Sequence, residues 1–406
     1  MAGNGTIIRK RLDARPPLNR GKSLVDPYAG REQTQAKHFI LKRYLQELAF
    51  KVLTFQDITY IDGFSGPWES KTTDFSDSSF MIAISVLLDA QKKVFERTGQ
   101  HRKIRCFFSE ENKESFAKLQ AAVAPYHKPA EGFEIQTFCG EFADAVDQIQ
   151  RYIGPSFALI FIDPTGWTGY PFDKINPLFA RAKCEVLINF MYDFIRRFVN
   201  SEDPEIIASF DPIFGGSGWR DRLDPGLERG PACEKLFRET LKAAGKFGFV
   251  VSTKIDKATA DRPHFFITYG TKSLAGLKAF RETEYVALRH HEQNRANAKE
   301  RERQVRTNTP DLFAGHQAKV QEATIDDIVA EQMAAASTKL VTDLQSGPRL
   351  FSTVLESFLQ SHMLRGTNVK DICVALAKAG TIENNWGGGN RKPQDDSIIR
   401  LVASNR

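Results

Sequence analysis

At 406 residues, with 41% hydrophobic and 26% charged side chains, the chain is long enough to bury more than one core, and its composition excludes wholesale disorder. A formal net charge of +6 admits a polyanionic partner without requiring one. No run of about 18 apolar residues occurs, and the basic, proline-bearing start has no apolar segment, so no membrane span is expected and the protein reads as cytoplasmic.

The five cysteines (Cys106, Cys139, Cys184, Cys233 and Cys373) contain no C-x-x-C pair. They read as reduced core or near-core residues rather than a zinc site or a disulfide framework, so no metal is expected.

Residues 1–30, with Pro16, Pro17 and several glycines, read as a flexible tail. Apolar positions at helical spacing (Phe39, Ile40, Tyr44, Leu45, Leu48) predict a helix over 33–50. Strands and helices then alternate. Strands are expected at 57–62, 104–109, 133–138, 157–162 and 185–190, and helices at 79–88, 112–123, 142–152 and 173–180. That alternation predicts a parallel, doubly wound sheet. Two β-rich runs, 249–255 and 264–269, flank a polar turn with Asp261 and Pro263 and read as an antiparallel hairpin at the end of that sheet. Residues 191–245, with Gly215, Gly216, Gly218 and Trp219 among them, are too long for an ordinary connection and read as a lid or substrate-facing insertion. The mixed-charge stretch 281–306 reads as a solvated helix, with nucleic-acid contact as the alternative. The domain would therefore span 31–306, followed by a linker and helix over 307–345. The tail 346–406 gives helices at 351–358 and 369–378, then a hairpin through Gly380 and a turn at Gly387, Gly388 and Gly389 to 397–402, an order expected of a winged-helix-like domain.

Four strand ends carry chemistry. Asp62, Gly63, Phe64, Ser65, Gly66 and Pro67 close the first strand with an acid and a glycine turn, the generic nucleotide site of open α/β sheets; a plain tight turn is the alternative. The run lacks G-x-G-x-x-G, which disfavours a nicotinamide oxidoreductase. Glu110 ends the second strand, where a carboxylate can accept hydrogen bonds from both hydroxyls of a ribose or sit at a helix start favoured by the dipole. Gly140 and Glu141 follow the third strand, where a side chain can read an adenine amino group or open a helix. Asp163 and Pro164 end the fourth. There a rigid loop can hold a carboxylate and a carbonyl to polarise an amine, although Asp-Pro also starts ordinary turns.

Lys37-His38, the run from Tyr60 to Pro67, Phe108-Ser109-Glu110, Gly140-Glu141 and Phe161-Ile162-Asp163-Pro164-Thr165-Gly166 together resemble the three-Cys-motif partner protein (TcmP) family, a set of bacterial methyltransferase-like proteins. The likeness spans roughly 33–305, with the tail as a further shared region. More distantly the series is similar to the ribosomal RNA adenine-N6 methyltransferases. The resemblance implies a Rossmann-like Class I methyltransferase sheet and S-adenosylmethionine as cofactor. It implies that His38, with Lys37 beside it, and Phe64 approach the cofactor's methionine end, that Asp62, Gly66 and Ser79 also belong to the cofactor site, that Glu110 binds its ribose and Gly140 and Glu141 its adenine, and that Asp163 with Pro164 handles the acceptor amine. Nucleic acid and a three-Cys-motif protein are the partners it implies. Trp68 stands where another glycine is common, Phe80 replaces a proline, and Thr165-Gly166 replaces the Pro-Tyr that supplies a base-stacking aromatic; Trp167 could substitute or could pack the loop. A non-catalytic Rossmann and winged-helix module that binds nucleic acid or protein is the alternative function.

Overall fold

The computed structural model describes residues 27–66, 70–307, 324–386 and 391–403. Most of the expected tail, Pro67 and Trp68, much of the linker and the glycine turn at 387–389 lie outside them.

α1 (Glu32–Val52) leads into β1 (Ile58–Asp62), and α2 (Ser79–Thr98), β2 (Ile104–Glu110), α3 (Lys113–Val123), β3 (Phe133–Cys139), α4 (Val146–Ile153), β4 (Phe157–Ile162), α5 (Phe172–Phe179) and β5 (Cys184–Phe190) follow in strict alternation. α6 (Tyr192–Phe198), α7 (Pro204–Ala208), α8 (Asp211–Phe214) and α9 (Arg229–Gly245) then precede the hairpin β6 (Phe249–Asp256) and β7 (Pro263–Thr271). Among the described residues these strands form one seven-stranded sheet, ordered β3-β2-β1-β4-β5-β7-β6, with only the hairpin antiparallel.

The central strand β4 is apolar on both faces because helices cover both. On β4, Leu159 and Phe161 face the layer of α1 and α2, while Ala158, Ile160 and Ile162 face the layer of α4, α5 and α9. The expected helix at 79–88 continues to Thr98, where Gly99 at φ 68° closes it.

Three expectations change. The stretch 191–245 is not one insertion, because α9 packs on α5 and the second core with Cys233, Leu236 and Phe237. Trp219 within it is 1% exposed and packs on Phe210 and Phe214, so that tryptophan is core rather than lid. The charged stretch belongs to α10 (Leu274–Thr307), whose first half is buried through Leu277, Phe280, Ala287 and Leu288. Its later charges are tethered: Arg295 and Lys299 hold Asp261 in the hairpin turn, and Arg301 reaches Glu32 on α1. Cys139, unlike the other four cysteines, is exposed at the end of β3.

The C-terminal region holds α11 (Ile325–Leu344), β8 (Arg349–Leu350), α12 (Phe351–Ser361), α13 (Gly366–Lys378) and β9 (Ile398–Ile399). β9 pairs antiparallel with β8 rather than with 380–382, where Ile382 and Leu401 share a single bridge. The region is continuous with the main core. Gln360 donates to the Val250 carbonyl on β6 at 2.8 Å, and Val354, Leu355, Phe358 and Leu359 join the apolar cluster of α1 and α10. Among the described residues no helix is long and apolar enough to cross a membrane.

Candidate functional site

β2 and β3 lie on one side of β1 and β4 and β5 on the other, so the chain reverses direction between β1 and β4 and opens a crevice at their carboxyl ends. Both first-strand turn and fourth-strand loop fall there. The turn is bolted to its neighbours: the Gly63 N–H donates to the Phe161 carbonyl at 3.0 Å, the Ser65 N–H to the Ser109 carbonyl at 2.9 Å, and Ser109 Oγ to the Gly63 carbonyl at 2.8 Å. A Cβ at Gly63 would meet the Phe142 ring at 2.9 Å, which is why glycine stands there.

Asp62 is fully buried beneath that turn and lines neither cavity of the crevice. Its carboxylate accepts from the Phe64 N–H at 3.1 Å and from Ser79 Oγ at 2.7 Å, so it shapes the cradle from behind. Burial outweighs these bonds and lifts its pKa to about 6.

Two cavities share the wall formed by Phe64, Asp163, Pro164 and Thr165. The first, about 290 Å³, is lined also by Lys37, His38, Gly66 and Ser79. The second, about 540 Å³, gathers Glu110, Gly140, Glu141 and Phe142. Glu110 accepts from the Asn112 N–H at 2.7 Å through one oxygen, and burial pushes its carboxyl above the ordinary value. Glu141 is exposed at the rim.

Asp163 is held from two sides. Lys37 Nζ lies 2.6 Å from Oδ2, and Asn189 Nδ2 donates to Oδ1 at 2.7 Å. The carboxylate is thus fixed in place, with 13% of its side chain exposed. Asn189, Phe194, His264 and Phe265 are among the other residues that line this cavity and were not anticipated from the sequence. Asn189 was findable, since an amide near the end of an apolar strand is the same signal that marks Glu110. The hairpin residues His264 and Phe265 carry no local signal. Trp167 does not face the cavity as a free stacking surface: it stacks on Phe210 at 5.0 Å, and its Nε1 donates to Ser209 Oγ at 2.9 Å.

His38 is 8% exposed, with the Tyr28 hydroxyl 3.1 Å from Nδ1. Burial first, then the neighbouring Lys37 charge, lowers its pKa from 6.5 to about 3, so the ring is neutral at physiological pH. The unfolded chain binds the proton near pH 6.5 and the folded one only near 3. Stability is therefore full above pH 6.5 and lost as pH falls towards 3, by about 2 kcal/mol at pH 5. Asp62, with its pKa raised, acts in the opposite sense between pH 6 and 3.8, over a smaller displacement. Urea unfolding at pH 7, 6 and 5 should show a His38→Gln variant losing less stability on acidification than wild type; equal losses would remove His38 from the acid response.

Compared with protein-family models and with curated proteins, the chain matches none.

Proposed function

We propose that the chain is an S-adenosylmethionine-dependent methyltransferase acting on an amino group, on a Rossmann-like Class I sheet. The observation that carries this reading is the divided crevice, in which Glu110 lines one half, His38 and Ser79 line the other, and Phe64 and Asp163 stand on the wall between them. The strand order with an antiparallel terminal hairpin agrees with such a sheet.

The residues present fit the cofactor. Glu110 spends one oxygen on the Asn112 N–H and has the other for ribose hydroxyls. Gly140 and Glu141 border the same cavity, where the adenine would lie, and the neutral His38 with Gly66 and Ser79 borders the methionine half. When bound, S-adenosylmethionine supplies a methyl group on a sulfonium sulfur for in-line displacement. The chain's own contribution is placement of the acceptor nitrogen, the larger part of the acceleration. Asp163, fixed by Lys37 and Asn189, can accept a hydrogen bond from that nitrogen and take its proton as the new bond forms, with the Pro164 carbonyl as a second acceptor.

The order α11, β8, α12, α13, the Ile382 bridge and β9 supports a winged-helix reading of the tail. Nucleic acid, or a substrate presented by a three-Cys-motif protein, is the acceptor class the resemblance implies.

Calorimetric titration with S-adenosylmethionine, S-adenosylhomocysteine and NAD tests the reading. Binding of both S-adenosyl ligands and not of NAD is expected; folded protein that binds neither of the first two sinks it. Labelled-methyl transfer to bulk RNA, DNA and lysate protein should be present in wild type and lost in Asp163→Ala. Cofactor binding with no transfer in either would favour the non-catalytic module.

A further inference from the structure

The cavity that holds Asp163 opens beside an ordered cluster of positive charge. Arg196 and Arg197 on α6 and Lys257 in the β6–β7 turn all converge on one carboxylate, Asp193, at 3.5, 2.7 and 2.8 Å. Asp193 is 1% exposed, whereas the two arginine side chains are 47% and 52% exposed. Three positive charges against one negative leave +2 at this rim, held in place rather than scattered on mobile side chains.

The rim and the cavity are continuous. Phe194, next in sequence to Asp193, lines the cavity, and the Arg197 guanidinium lies 5.5 Å from the centre of its ring. His264, at the start of β7, also lines the cavity and lies in the field of Lys257, Asp193 and Arg197, with its Nδ1 buried and unpartnered among the described residues.

We propose that this rim binds the phosphate of a single-stranded or extruded nucleotide whose base enters the cavity between Phe194 and Phe265. The proposal rests on the methyl-transfer reading for what happens to the base. Asp163 lies deep, so its acceptor amine has to be carried on a group that projects into the cavity. A base stacked in a duplex does not project, and an unstacked one does. Aromatic walls suit the flat face of a base, and adjacent guanidinium forks match the geometry of phosphate oxygens. An acidic protein segment would satisfy the rim but has nothing planar to offer the aromatic walls.

Fluorescence anisotropy with single-stranded RNA and DNA of about 20 nucleotides, longer than a typical site, tests this across a salt series. Arg196→Gln/Arg197→Gln leaves Lys257 to hold Asp193. Binding by the double variant should weaken roughly tenfold at low salt, and the slope of log affinity against log salt should fall by about 1.4, the share of two phosphate contacts to a single strand. Should the double variant melt early, Arg196→Gln alone, which removes only the longest of the three ion pairs, should lower the slope by about 0.7. Unchanged slopes, or a wild type that retains no oligonucleotide, overturn the proposal. A polyglutamate peptide that competes as well as the oligonucleotide overturns it in favour of an acidic protein partner. Titration of the same wild-type preparation with S-adenosylhomocysteine separates the two ideas: retained oligonucleotide binding with the expected slope change but no S-adenosyl binding leaves the rim and removes the methyl-transfer reading.

Discussion

Replacing Glu110 by alanine is expected to weaken S-adenosylhomocysteine binding by roughly 10- to 100-fold, the loss of charge-assisted hydrogen bonds from two hydroxyls. The carboxylate sits at the end of β2, 9% exposed, with one oxygen spent on the Asn112 N–H and the side chain forming part of the wall of the larger cavity. Calorimetry at neutral pH measures the effect directly, and a change smaller than about twofold would remove Glu110 from the cofactor site. Because burial raises its carboxyl, wild-type affinity should begin to fall at a pH above the ordinary glutamate value of 4.5 as the carboxylate takes up a proton. Glu110→Gln should bind weakly at every pH and lack that particular fall.

Arg281→Ala should have the largest effect on stability, about 3–5 kcal/mol, because it strands a buried charge. Arg281 is 5% exposed and pairs with Glu284, itself 1% exposed, at 2.5 Å on α10. Its Nε donates to the Leu359 carbonyl of α12 at 2.8 Å, while Glu284 accepts from Thr253 Oγ1 of β6 at 2.8 Å. One ion pair thus joins the long helix, the sheet edge and the C-terminal region. Urea denaturation should show the full loss in the alanine variant. Arg281→Met/Glu284→Leu should recover much of it, since neither charge then remains buried. Limited proteolysis should cut the C-terminal region faster in Arg281→Ala. A loss under about 1 kcal/mol would mean that water reaches Glu284 and that the pair is not a latch.

Short-range pattern made the sheet legible. β1, β2 and β4 are brief, mostly apolar runs closed by an acid, Asp62, Glu110 or Asp163, and each intervening helix repeats its apolar positions at helical spacing, so local periodicity encodes much of the alternation. Where the pattern failed, the deciding contacts were distant in sequence. The charged stretch 281–306 looks solvated in isolation, yet α1 and the C-terminal region bury half of α10. Residues 397–402 look like the second arm of a local hairpin, but β9 finds its main partner in β8, almost fifty residues earlier.

The same division runs through the candidate site. The sequence by itself determined the alternating α/β order and the four strand ends that bear Asp62, Glu110, Glu141 and Asp163, because strand termination is a local event written in neighbouring residues. It could not distinguish the roles of two acids at equivalent positions. Asp62 is sealed under its turn by Ser79 and the Phe64 N–H, whereas Asp163 faces a cavity under the control of Lys37 from α1 and Asn189 from β5. Burial and electrostatic partnership are properties of packing across the crevice, and they arise only when β1, β4, β5 and α1 are brought together by the fold.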